Sequence, residues 1–94
     1  ENIYPSQIEE VLNAHPKVAE SAVIGIPDKL RGEAVAAYVV PLDGSLTVAE
    51  LKEYCARHPL LSSYKWPRKY CLVEELPHTA TGKLMRYKLR QEYK

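Results

Sequence analysis

Seven consecutive apolar residues, Ala34-Val35-Ala36-Ala37-Tyr38-Val39-Val40, constrain the fold of this 94-residue chain more than any other segment. The run has the length of a strand and is β-branched toward its end. Its lack of polar alternation predicts a strand covered on both faces. It is the longest apolar run present, far below the roughly eighteen residues needed to cross a membrane as a helix. The N-terminus lacks the basic, apolar and small-residue progression of a signal peptide, so the chain is expected to work in the cytoplasm. It begins at Glu1-Asn2-Ile3-Tyr4-Pro5, which reads as a piece of a longer protein. Residues 1–94, with 46% hydrophobic content, suffice for one domain with one modest core.

The flanking segments supply partners for that strand. Pro5 followed by Ser6-Gln7-Ile8-Glu9 predicts a helix start with an S-x-x-E capping pattern, and Ile8, Val11 and Leu12 form its buried stripe. Pro16 ends that helix. Val18, Ala22, Ile24 and Ile26 at even spacing predict a strand over 18–26 with one core face, paired antiparallel with 34–40. Pro27–Gly32 reads as a polar loop and Pro41–Gly44 as a turn. Thr47 and Glu50 form a second capping pattern, with Leu46 and Leu51 as its hydrophobic staple and Val48, Leu51, Tyr54 and Cys55 facing inward. His58-Pro59 stops this helix. A third strand is expected over 69–74, and a short final helix over 84–92 with Met85 and Leu89 inward. The order α-β-β-α-β-α, with hairpin links rather than βαβ crossovers, predicts an α+β fold. It would be a small sandwich of a mainly antiparallel three-stranded sheet with about three helices.

Composition narrows the function classes. The net charge is +1, but residues 1–47 carry three Lys/Arg against seven Asp/Glu, whereas residues 48–94 carry ten against five. A neutral total argues against a nucleic-acid coat, while a basic second half allows a local site for an anion. Cys55 and Cys71 belong to no metal spacing and read as buried free thiols, although two cysteines permit one disulfide. His15, His58 and His78 are scattered, so no metal site is expected.

The segment Leu76-Pro77-His78-Thr79-Ala80-Thr81-Gly82-Lys83-Leu84-Met85-Arg86 stands apart. Gly82 gives a tight turn whose backbone can approach a ligand, and Lys83 at its exit reaches forward with a cation. It is not a P-loop, which needs glycine where Pro77 stands and Ser or Thr where Leu84 stands. On the tripeptide alone, an ordinary turn with a solvated lysine stands beside the ligand-facing reading. The same holds for Lys83, Arg86, Arg90 and Lys94, which would share one helical face that is either surface or binding patch.

Four segments in order decide between those readings: Asn2–Glu9, Ala22–Asp28 with Arg31-Gly32-Glu33, Tyr64-Lys65-Trp66-Pro67-Arg68, and Leu76–Lys83 with Arg86 and Leu89. Together they resemble the C-terminal domain of adenylate-forming (AMP-binding) enzymes, the superfamily of acyl-CoA synthetases, peptide-synthetase adenylation domains and beetle luciferases. The resemblance implies a partner, a large N-terminal domain of the same enzyme that binds ATP with Mg2+ and a carboxylic acid outside the present residues. It implies that Lys83 is the catalytic lysine, presented by the Gly82 turn during acyl-adenylate formation. Rotation of the small domain about a hinge upstream of Glu1 would then withdraw Lys83 and present another face to a thiol. The carboxylate is already ionised at neutral pH, so Lys83 would act as an electrostatic stabiliser rather than a general base. One preorganised donor at such a centre is worth about 2.7–4 kcal/mol.

The Asn2-Ile3-Tyr4-Pro5 form resembles acyl-CoA synthetases more than the Arg-Ile-Glu form of peptide synthetases, which implies coenzyme A as acceptor and fatty-acid metabolism as a setting. Tyr64, Lys65, Trp66 and Arg68 then become candidate CoA contacts, through stacking on adenine and a cation near phosphate. Trp66 is equally readable as a residue packed on the core. The resemblance also implies a lysine acetyltransferase and deacetylase acting on Lys83. Two alternatives remain at this point: an adenylation domain that loads a carrier-protein thiol, and a small basic nucleic-acid-binding module, which would bind with steep salt dependence.

Overall fold

The structure is a computed structural model that describes residues 4–93. Asn2 and Ile3 of the first motif, and Lys94 of the basic face, lie outside the described residues.

The apolar run becomes the centre of the sheet. Strand β1 (Val18–Asp28) pairs antiparallel with β2 (Gly32–Pro41), with Ala22 opposite Tyr38, Ile24 opposite Ala36 and Ile26 opposite Ala34. Strand β3 (Lys69–Leu72) lies on the other side of β2, giving the order β1-β2-β3. Period-2 alternation sends β2 side chains to two cores. Val35, Ala37 and Val39 join Ile8, Val11, Leu12, Leu46, Leu51, Cys55 and Leu61 beneath helices α1 (Pro5–Asn13) and α2 (Val48–Arg57). Ala34 and Ala36 join Ala22, Ile24, Ile26, Leu76 and Leu89 on the opposite face, beneath helix α3 (Arg86–Glu92). Complete burial of side chains such as Ile8, Leu12 and Leu51 contributes about 1.5–3 kcal/mol each relative to exposure.

The α+β class holds, with three α-helices among the described residues, but the sheet is mixed rather than mainly antiparallel. β2 and β3 run parallel, with Ala36 opposite Lys69 and Val39 opposite Leu72. Helix α2 lies between them in sequence and carries the chain back along the sheet, which is the crossover that parallel neighbours require. β3 also ends at Leu72, two residues short of the expected strand.

Further differences have local causes. β1 is buried on both faces, since Ser21, Ala22, Val23 and Ile24 are all buried. A register shift between Val18 and Glu20 puts Val18 in the α1/α2 core, while Ala22, Ile24 and Ile26 face α3. The two strands extend to Asp28 and from Gly32, so the expected polar loop shrinks to Lys29-Leu30-Arg31. The S-x-x-E pattern does not cap α1. Pro5 occupies its first turn and Tyr4 is the cap residue, so Ser6 is already helical and Glu9 turns inward. The second capping pattern forms as expected. The Glu50 amide donates to Thr47 Oγ1 (3.2 Å), the Thr47 amide donates to Glu50 Oε1 (3.1 Å), and Leu46 and Leu51 share one core. α3 starts at Arg86 rather than residue 84, and Met85 is half-buried where Leu89 is buried.

Candidate active site

Lys83 lies in a turn closed by an antiparallel bridge between His78 and Leu84. Inside it, the Thr79 amide donates to the Lys83 carbonyl (2.8 Å) and the Gly82 amide donates to the Thr79 carbonyl (2.9 Å). The Lys83 amide donates to Thr79 Oγ1 (3.0 Å), and the Thr79 and Thr81 hydroxyls share a hydrogen bond of the same length. Threonine at 79 thus serves as an internal brace that orients the backbone at Lys83. Gly82 sits at φ +90°, where an L side chain is strained, so the sequence pairs the residue that permits the turn with the lysine it presents. The Lys83 side chain is exposed, and among the described residues its ammonium forms no ion pair.

Both stems of the turn are tied to the rest of the fold. Before the turn, Leu76 is buried in the α3-side core, and His78 Nε2 lies 2.8 Å from Glu20 Oε1 on β1. After it, the Met85 amide donates to the Pro77 carbonyl (2.9 Å), and Leu84 packs on the same core. Arg86 makes a two-pronged ion pair with Glu9 of α1: Nε donates to Oε2 at 2.7 Å and Nη2 donates to Oε1. Glu9 Oε2 also accepts the Val23 amide of β1 at 2.8 Å. The Glu9 carboxylate raises the pKa of Arg86, chiefly through this hydrogen bonding. Arg86 therefore leaves the solvated basic face that the sequence suggested. Nothing local pointed to Glu9: its spacing from Ser6 mimicked a cap, and its partner lies 77 residues away.

The other predicted contacts form a second region. Tyr64 and Lys65 lie in a single 3-10 turn, Ser63–Lys65. The Lys65 ammonium donates to Gln7 Oε1 (2.7 Å) and stands 5.6 Å from the centre of the Tyr64 ring. Trp66 packs against the α1/α2 core and its Nε1–H donates to the Leu61 carbonyl (3.1 Å), so the indole is partly committed to packing. Trp66 and Arg68 come together with Lys52, Ala56, Pro67 and Tyr70 around a recess of about 320 Å3. The Arg68 side chain is exposed while its amide donates to the Val35 carbonyl (2.8 Å). Trp66 belongs to the core on one face of the sheet, and the stems around Lys83 belong to the core on the other. The two predicted regions are thus separate.

Both cysteines are free. Cys55 is buried, and burial raises its thiol pKa, an effect partly offset by the Tyr70 hydroxyl. Burial likewise raises the pKa of Tyr70. Among the described residues no group of three or more His, Cys, Asp or Glu stands together as a metal-ligand set. Among the same residues no helix is long and apolar enough to cross a membrane.

Residues 7–83 match the family model described as the AMP-binding enzyme C-terminal domain. The chain is 50% identical over 91 residues to the 2-succinylbenzoate–CoA ligase of Bacillus cereus, covering 97% of this chain and 18% of that protein. It is 48% identical over 91 residues to the long-chain-fatty-acid–CoA ligase of Yersinia pestis, covering 97% of this chain and 16% of that protein. The o-succinylbenzoate CoA synthetase of Bacillus subtilis, solved with the acyl-adenylate intermediate OSB-AMP, superposes with a TM-score of 0.87 at 40% identity, over 100% of this chain and 19% of that one. Its complex with ATP and a magnesium ion gives 0.85 at 41%, over 96% and 18%. The chain thus spans under a fifth of the length of these relatives.

Proposed function

The chain belongs to the family of AMP-binding enzyme C-terminal domains, and from that premise we propose that it supplies the catalytic lysine of an ATP-dependent carboxylic acid–CoA ligase. The observation that carries this reading is the Lys83 ammonium, without an ion-pair partner among the described residues and exposed beyond a turn whose backbone is internally hydrogen-bonded. A cation held there without a carboxylate partner is available to bridge two anions, the substrate carboxylate and the α-phosphate of ATP. Negative charge grows on the α-phosphoryl oxygens as the carboxylate oxygen attacks and pyrophosphate leaves. Lys83 stabilises that charge without taking up or giving up a proton, and Gly82 lets the backbone approach the nucleotide. The remainder of the ligase, with the acid pocket and the Mg2+–ATP site, is the partner of this chain.

Thioesterification would use a different face. The separation of Lys83 from Tyr64–Arg68 supports a role in which one region serves adenylation and the other faces coenzyme A. Arg68, exposed beside the recess, and Lys65 are the cations proposed near CoA phosphate, while Tyr64 offers an aromatic face. Trp66 shapes the recess from its packed position. CoA is preferred over a carrier-protein thiol because the relatives described above are named CoA ligases, and their names span 2-succinylbenzoate and long-chain fatty acids. The cytoplasm is the proposed compartment, where unbridged thiols such as Cys55 and Cys71 persist. The exposure of Lys83 also leaves it open to acetylation, which would remove its charge. The test is Lys83→Ala in the complete ligase. Adenylate formation, read as acid-dependent ATP–pyrophosphate exchange, should collapse while thioester formation from preformed acyl-adenylate survives.

A further inference from the structure

The Glu9–Arg86 pair, its carboxylate buried and its arginine side chain 33% exposed, calls for an explanation beyond stability. Glu9 has only 8% of its side chain exposed, and taking charges out of water costs several kcal/mol, so an apolar pair of similar volume would serve the core as well. What the ion pair provides and an apolar contact does not is direction. The fork of Arg86 fixes the plane of its guanidinium against the carboxylate, and the Val23 amide fixes the carboxylate against β1.

β1 is an edge strand, its other side already paired with β2. Glu9 reaches that edge from α1, under one face of the sheet, and Arg86 reaches it from the first turn of α3, under the other. The pair therefore clasps both layers around the open edge. Arg86 follows Lys83 by three residues, and His78, at the other stem, stands against Glu20 of the same strand. The apex between these anchors, Thr81-Gly82-Lys83, is exposed.

We propose that Glu9 and Arg86 are positioning residues for adenylation, which set where Lys83 stands relative to the sheet without touching substrate themselves. This rests on the role given to Lys83 above. Loss of the clasp leaves the lysine present and charged but misplaced, and a displacement of about 1 Å at a reacting centre can cost about 10²-fold.

The experiment compares both half-reactions in the complete ligase for Glu9→Gln, Arg86→Gln and the double variant, with Lys83→Ala beside them. Each single variant should lower the adenylation kcat about 10²-fold and leave the KM for ATP within about threefold, with thioesterification from preformed acyl-adenylate retained. The double variant should be no worse than either single one, because the two residues act as one device. Arg86→Lys keeps the charge opposite Glu9 but loses the fork, and serves as the conservatively folded variant. It should lose about tenfold in adenylation alone, and full adenylation activity in it overturns the inference. Equal loss of both half-reactions in Arg86→Lys, or single-variant losses that multiply to about 10⁴-fold in the double, also overturn it. Unchanged adenylation in Lys83→Ala overturns the functional reading itself, an outcome separate from the others.

Discussion

Replacing Gly82 by alanine isolates the conformational demand of the turn from every other effect. A Cβ built on Gly82 would meet no heavy atom within 4 Å, so the substitution creates no clash. The cost is that of holding an L residue at φ +90°, about 1–2 kcal/mol. Alanine also narrows the unfolded ensemble, which returns about 0.4–1 kcal/mol, so the net destabilisation is about 1 kcal/mol. The exposed turn has a way to relax, but relaxation strains the bonds from the Gly82 amide to the Thr79 carbonyl and from the Lys83 amide to Thr79 Oγ1. Each contributes about 0.5–1.5 kcal/mol, so relaxation offers no cheaper route. For a chain of this size, 1 kcal/mol lowers Tm by about 4–8 °C. Gly44 is the matched control, since it too has open space around its Cβ but lacks a positive φ. Thermal unfolding by circular dichroism should show a lowered Tm for Gly82→Ala and an equal or raised Tm for Gly44→Ala. Equal shifts in the two variants would refute the conformational argument.

Two substitutions and one thiol-labelling experiment probe the framework. Thr47→Ala removes the hydroxyl that caps α2 and should cost about 1 kcal/mol in thermal or denaturant unfolding, whereas an unchanged midpoint contradicts the cap. The Lys17 ammonium, 2.9 Å away, and then the Thr47 amide hold the Glu50 carboxyl below its ordinary 4.5. That contribution is complete above 4.5 and lost as pH falls through the lowered value, so Glu50→Gln should flatten the dependence of Tm on pH in acid. Identical acid profiles would show that the pair contributes nothing. Burial and a raised thiol pKa should make Cys55 slow toward an aromatic disulfide reagent until denaturant is added, while half-buried Cys71 reacts in the native chain. Two equally fast thiols would contradict the packing of Cys55.

What the sequence made legible was what neighbouring residues decide between themselves. Thr47 and Glu50 meet within one turn, and the run 34–40 declares its own double coverage, so both were readable. The direction of β3 was not, because it depends on where α2 delivers the chain and not on any residue within 69–72. The two faces of β1 were hidden by one register shift at Val18–Glu20, which changes the side to which every later residue points. Glu9 was misread because a local pattern and a distant partner competed for the same carboxylate, and the partner prevailed. Lys83 was singled out by its glycine and by motifs in register, whereas the contacts of its turn with Glu20 and Glu9 become visible only when β1 and α1 are placed beside it.

The proposed role of Lys83 is in adenylate formation and not in thioester formation. The direct measurement is both half-reactions of Lys83→Ala in the complete ligase, side by side with the parent enzyme. A stabilising cation of this kind is worth about 2.7–4 kcal/mol, so pyrophosphate exchange should fall by about 10²–10³-fold. Thioester formation from supplied acyl-adenylate should stay near the parent rate. Equal losses in the two half-reactions would contradict that role for Lys83.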